Sequence, residues 1–157
     1  MTWNEYENLI SNISERFTNN PNENIIWKPS TGRNNRIEGI SGYKHQIDVY
    51  LESDNDILLI ECKKWTTNVP VGQYLTLFGR LVDISSKYPN RNVRATLVTS
   101  KGWQSGVTQL NNHYRKKLSL FHVTEIGEVA KIIHTAFIFG SATSKSTVFG
   151  NLTPKKD

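Results

Sequence analysis

The chain has a single cysteine, so it can close no internal disulfide, and the position of Cys62 at the end of an apolar run predicts a small buried thiol in a reduced, cytoplasmic protein. No stretch approaches the roughly 18 consecutive apolar residues of a membrane span. The first residues lack a basic segment followed by an apolar one, which argues against a signal peptide. An internal repeat, a glycine-rich phosphate loop and a coiled-coil register are absent as well, which removes solenoid, P-loop and rod-like readings. What remains is 157 residues, 37% of them hydrophobic, enough for one domain with a sizeable core and too few for two. The formal net charge of +5 favours a polyanionic partner without identifying it.

Periodicity predicts the element order. Tyr6, Leu9, Ile10, Ile13 and Phe17 recur at helical spacing over 3–17, with Glu7 close to that stripe. A short strand at 25–27 should stop at Pro29, and a loop over 30–44 follows, with three glycines and the cations Arg33, Arg36 and Lys44. That loop reads equally as a phosphate contact or as ordinary solvated chain, and His45 as an aid to a phosphate or water or as a surface histidine. A helix is expected over 71–86, with Val71, Tyr74, Leu75, Phe78, Leu81 and Val82 as its stripe, and Gln73 and Arg80 together off it. A strand at 93–100, a helix at 103–117, a strand at 118–123 and a helix from about 125 complete the pattern. The alternation predicts a two- or three-layer α/β domain over 1–139, followed by a flexible polar tail over 140–157.

The chain is organised around 47–63, where two apolar runs flank a break rich in Ser, Asp and Asn. This predicts two antiparallel strands joined by a turn. Strand periodicity puts Glu61 and Lys63 on one face and Cys62 on the other, and pairing near Asp48 would place two carboxylates and an amine together. Such a group is costly to bury unless it holds a metal. Hard carboxylate oxygens suit Mg²⁺, with Mn²⁺ as a substitute, and a cation beside them suits phosphodiester hydrolysis. The plainer reading is a salt bridge between Asp48 and Lys63, with Glu61 a strand-end carboxylate.

The stretch Gly39-Ile-Ser-Gly-Tyr-Lys-His-Gln-Ile-Asp-Val-Tyr, then Ile60-Glu-Cys-Lys-Lys, resembles the catalytic region of Mrr-like restriction endonucleases of the PD-(D/E)xK nuclease superfamily, and the later Val98-Thr-Ser-Lys-Gly-Trp is similar to the segment those domains carry after their third core strand. The resemblance spans about 3–135. It implies a restriction-endonuclease-like α/β core, a mixed β-sheet flanked by helices, with Mg²⁺-dependent cleavage of DNA. Carried over by position, Asp48, Glu61 and Lys63 match the aspartate, glutamate and lysine of the motif. Glu7 resembles an acidic residue from the first helix that adds to the metal site, and Gln73 a polar residue on the helix after the lysine strand. The proline of the signature is replaced by Ile47.

The expected function is a metal-dependent DNA endonuclease of restriction type, with Asp48, Glu61 and Glu7 as metal ligands and Lys63 and Gln73 completing the catalytic set. Arg33, Arg36, Lys44, His45, Lys64 and Lys101 are candidate DNA contacts. A Holliday junction resolvase-like nuclease acting as a homodimer is the alternative substrate reading, and a catalytically silent DNA-binding module of the same fold is the alternative class. The chain has no room for a target-selecting module, so a separate specificity partner is a further expectation.

Overall fold

The computed structural model describes residues 2, 5, 12, 28–31, 35–63, 66–115 and 117–122, with 28–31 described through the backbone. Of the expected first helix Glu5 and Asn12 are described, both helical; the rest of it, the expected last helix and the tail lie outside these residues, as do Glu7, Arg33 and Lys64. At the N-terminus, Thr2 and Glu5 form a reciprocal capping box: the Thr2 amide donates to Glu5 Oε2 at 2.7 Å and the Glu5 amide to Thr2 Oγ1 at 3.3 Å.

Five strands form one sheet in the order β1 (Lys28–Thr31), β4 (Val49–Glu52), β5 (Asp56–Lys63), β6 (Asn92–Thr99) and β7 (Leu118–His122). β1, β4 and β5 are antiparallel neighbours, whereas β5, β6 and β7 run parallel, so the sheet is mixed. The helices α1 (Val71–Lys87) and α2 (Ser105–His113) make the two parallel crossovers. β2 (Arg36–Glu38) and β3 (Lys44–Gln46) form a separate two-stranded sheet.

The strand expected at 25–27 falls outside the described residues, and β1 instead runs through Pro29. Proline is tolerated there because β1 is an edge strand, where one row of amides has no ladder partner. The helix expected at 103–117 is shorter, ending at His113, and Arg115 then adopts a left-handed conformation with φ 55°. The loop expected over 30–44 is largely the β2–β3 hairpin. Ile40, Ser41 and Gly42 form a three-residue connection in which Gly42 takes φ 81°, the left-handed position such loops need.

On α1 the buried positions are Tyr74, Leu77, Leu81 and Ile84, with Val71 and Phe78 partly buried beside them. Leu75 and Val82, expected inside, are 48% and 49% exposed. Apolar residues surround this helix on more than one side, and the sheet takes the arc centred on Leu77 and Leu81. That arc packs on Ile57 and Leu59 of β5, Ala95 and Leu97 of β6, and Leu118 and Leu120 of β7. Each fully buried aliphatic side chain there contributes about 1.5–3 kcal/mol. The opposite face of the sheet, with Leu51, Leu58, Ile60 and Val98, is buried too.

The buried polar groups in this layer are paired. Tyr74 donates its hydroxyl to Asn111 Oδ1 at 3.1 Å, and Asn111 exchanges two hydrogen bonds with the backbone of Leu118. Burial pushes the Tyr74 phenol up to about 12. The two helices also meet at their starts, where Gln104 Oε1 accepts the Val71 amide at 3.2 Å. Gly106 sits so close to Val71 that a Cβ would fall 2.7 Å from Val71 Cγ2.

Candidate active site

The antiparallel register pairs Val49 with Ile60. One step further places Asp48 opposite Glu61, on the α1 side of the sheet, because strand side chains alternate. The register is held at both ends. At the turn the Ser53 amide donates to the Asp56 carbonyl and the Asp56 amide to Ser53 Oγ. At the far end Asp48 Oδ2 accepts the Cys62 amide at 2.9 Å. Ahead of Asp48, Asn35 Nδ2 donates to the Ile47 carbonyl at 2.9 Å and its own carbonyl accepts the Ile47 amide, so both sides of this aspartate are fixed.

Glu61 is only 7% exposed. Its carboxylate is divided between two cations: Lys63 Nζ lies 2.8 Å from Oε1 and Arg80 Nη1 lies 3.3 Å from Oε2. Lys63 stands two residues along the same face, and Arg80 comes from the third turn of α1. Helical spacing puts Arg80 with Gln73 on one side of the helix, and the sequence alone assigns Arg80 no role. Its signal was that seven-residue spacing, which sets both at one azimuth. Gln73 holds the predicted position in the first turn, but its side chain makes no hydrogen bond to Asp48, Glu61 or Lys63; its amide donates to the Pro70 carbonyl.

The electrostatics are uneven. Burial raises the Asp48 pKa, and the nearby Glu61 raises it further; the Cys62 amide, Lys63 and Arg80 pull the other way without cancelling the effect. Cys62 is buried on the opposite face, and desolvation with the two carboxylates nearby pushes its thiol up, which removes it as a nucleophile.

The other predicted contacts are spread along one end of the sheet and over the hairpin. Lys101 is exposed in the loop after β6, whose Ser100 amide donates to the Lys63 carbonyl at 3.2 Å, so it lies beside the end of β5. Arg36 and Lys44 are exposed on the outer face of the β2–β3 hairpin. His45 is on the inner face, where its Nε2 lies 2.6 Å from Asp83 Oδ2 of α1, which makes it a structural anchor of the hairpin. Among the described residues, no group of three or more His, Cys, Asp or Glu side chains converges as a metal cage. No helix among them is long and apolar enough to cross a membrane.

No family model and no curated protein matches this sequence. Its structure is similar to the crystal structure of a protein of unknown function, at 14% identity and a TM-score of 0.52, over 74% of this chain and 58% of that one. It is also similar to a repair endonuclease from Pyrococcus abyssi, at 18% identity and a TM-score of 0.50, over 78% of this chain and 47% of that one. A looser likeness, with a TM-score of 0.46 and 12% identity, covers 99% of this chain and 34% of the MspJI restriction endonuclease in complex with a 27-mer oligonucleotide. The chain therefore spans about half the length of the first two structures it resembles. With β4–β5 antiparallel, β5–β7 parallel and α1 packed across them, the fold is α/β and restriction-endonuclease-like, a mixed sheet with flanking helices.

Proposed function

We propose that this chain is a metal-dependent DNA endonuclease of the Mrr-like type, with Asp48, Glu61 and Lys63 as its catalytic residues. The observation that carries the reading is the pairing of two carboxylates across β4 and β5 with a lysine on the same face, at the carboxyl ends of the parallel strands. The donor set fits a hard divalent cation. Asp48 is desolvated beside a second carboxylate, and a cation between them would relieve both the burial cost and the repulsion. Asp48 and Glu61 would hold Mg²⁺ or Mn²⁺, and Glu7 is a further candidate ligand. When bound, the cation supplies Lewis-acid charge at a phosphoryl oxygen and lowers the pKa of an attacking water.

The protein's own groups do the rest. The Cys62 amide fixes one Asp48 oxygen. Arg80 holds Glu61 in one orientation from the third turn of α1. Lys63 brings an ammonium group to the place where negative charge grows at phosphorus, a contribution of the kind that is worth about 10²–10³ in rate.

One observation favours a second reading, a silent DNA-binding module. Both Glu61 oxygens already rest on cations, so a metal must compete with Lys63 and Arg80 for this carboxylate. Purified protein should be assayed on supercoiled plasmid, linear duplex and a four-way junction, with Mg²⁺ and then Mn²⁺, against Lys63→Ala. Product from wild type alone supports the nuclease, and the substrate ranking separates restriction-like from resolvase-like action. DNA binding without product in either metal supports the silent module. Self-association is a separate proposal, with exposed Leu75 and Val82 as its apolar surface; a monomeric sedimentation mass at micromolar concentration would remove it.

A further inference from the structure

The tip of the β2–β3 hairpin combines features that a solvated loop does not need. Ile40 and Tyr43 are 63% and 68% exposed at a three-residue turn, the two most exposed large apolar side chains described. The turn beneath them is rigidly held. Asp83 of α1 accepts the Ser41 amide at 3.0 Å and the Ser41 hydroxyl at 2.7 Å, and its backbone carbonyl accepts the Ile40 amide at 3.0 Å. The Tyr43 ring rests edge-on against His45, with centroids 5.0 Å apart, so the exposed ring is already oriented.

Charge surrounds this pair. The outer face of the hairpin carries Arg36 and Lys44, and Lys87 reaches it from α1; the one carboxylate among them, Glu38, is bonded to Lys87. Lys87 is taken up by Glu38, and Asp83 beneath the turn by Ser41 and His45, so Arg36 and Lys44 are the cations presented to a phosphate. The apolar part is two side chains, far short of the roughly 800 Å² a stable protein partner covers. Side chains of this kind suit insertion at a base step or stacking on a base, with cations on the flanking phosphates.

We propose that this tip is a second DNA contact, in which Ile40 and Tyr43 enter a groove and Arg36 and Lys44 take the phosphates beside it. The inference rests on the nuclease reading and deepens it by placing the contact. Tyr43 precedes Asp48 by five residues, so their Cα atoms lie at most about 18 Å apart. That is within about half of the ~34 Å turn of a duplex, measured from the phosphate at Asp48. His45 and Ser41 act from below as positioning residues through Asp83.

The test uses the full chain in a Lys63→Ala background with Mg²⁺ present, binding a labelled duplex of one sequence at several salt concentrations. Ile40→Ser/Tyr43→Ser should weaken binding about tenfold at every salt while leaving the slope of log K against log salt unchanged. Arg36→Ala/Lys44→Ala should lower that slope by about 2. All four side chains are exposed, and unchanged melting of each variant shows that the hairpin is intact. Wild-type affinity and slope in both variants overturn the tip contact and leave the nuclease reading standing. Normal cleavage by Lys63→Ala in the parent chain sinks the Asp48–Glu61–Lys63 site on which the nuclease reading rests, while a tip effect on binding still supports the contact. No binding of duplex by the parent chain overturns both.

Discussion

Asp48 and Asp83 are both aspartates on the α1 side of the fold, and the protein treats them in opposite ways. Asp83 gathers the Ser41 amide, the Ser41 hydroxyl and the His45 ring, and these donors hold its carboxyl below the usual range. Asp48 is set against Glu61 in a partly buried position, and its carboxyl is held above that range. The Asp83 cluster is satisfied within the chain, so it serves as a latch. The Asp48 cluster carries electrostatic tension, which costs stability and is the usual mark of a site built for a ligand or a reaction. The difference between a structural and a functional acidic residue here lies in how its neighbours are matched.

The sharpest way to break this contrast is to remove Lys63. Lys63→Ala should reduce DNA cleavage by at least about 10²-fold, the effect of losing a charge-stabilising group at phosphorus. A cation at the other end of the sheet has no such role, and Arg91→Ala, which removes the partner of Glu52, should leave cleavage within about twofold. Plasmid nicking by the purified variants checks both, and normal nicking by Lys63→Ala and Asp48→Ala together would count decisively against the site.

Arg80 sharpens the comparison from the side of stability. Its guanidinium is partly exposed and Glu61 keeps Lys63, so Arg80→Ala should cost about 1–2 kcal/mol rather than the full price of an orphaned charge. Glu61→Gln in the same chain should recover part of the loss. Denaturant titrations of the two single variants and the double variant give the coupling directly. No coupling between the two positions would detach Arg80 from the cluster.

How much of this was legible follows from the range of the interactions. The Asp48–Glu61 pairing was readable because strand alternation and a Ser/Asp turn set the register within 14 residues. Arg80 was not, since its partner lies 19 residues earlier and its azimuth says nothing about which helix face meets the sheet. The hairpin was read as a loop because it has one buried apolar residue, Ile37, and its other inward position is His45. That histidine is stabilised by Asp83, 38 residues later, and no local pattern encodes the contact. The α1 stripe was off-centre for a related reason: Leu75 and Val82 are as apolar as Leu77 and Ile84, and only packing on β5 and β6 chooses between the two arcs.

Gly39 tests the latch itself. A Cβ at this position would fall 1.9 Å from Asp83 Oδ2, so Gly39→Ala must push that carboxylate off its Ser41 and His45 donors. Overpacking of this kind costs about 1–3 kcal/mol. In an Asp83→Ala background the obstacle is gone, and the same glycine substitution should cost much less. Chemical denaturation of the four chains decides it. Equal costs in both backgrounds would mean that the carboxylate is not what excludes a side chain there.

The pH dependence of stability should have opposite signs in the two regions. Asp48 titrates near 3.9 in the unfolded chain and higher in the folded one. Between those values the folded state keeps a proton that the unfolded state has lost, so stability falls as pH rises through the window and stays lowered above it. For Asp83, and for Glu38 bonded to Lys87, the folded pKa is depressed. Their contribution is present above the unfolded value and is lost as pH falls through the folded one. Asp48→Asn keeps an acceptor for the Cys62 amide and removes the charge. In chelator at pH 7 it should therefore melt above wild type, with the gap closing below about pH 4. Asp83→Asn should melt below wild type at pH 7, with its gap also closing in acid. Melting curves across this range check both signs, and an Asp48→Asn chain that melts lower than wild type at neutral pH would show that its neighbours satisfy this carboxylate as fully as Ser41 and His45 satisfy Asp83.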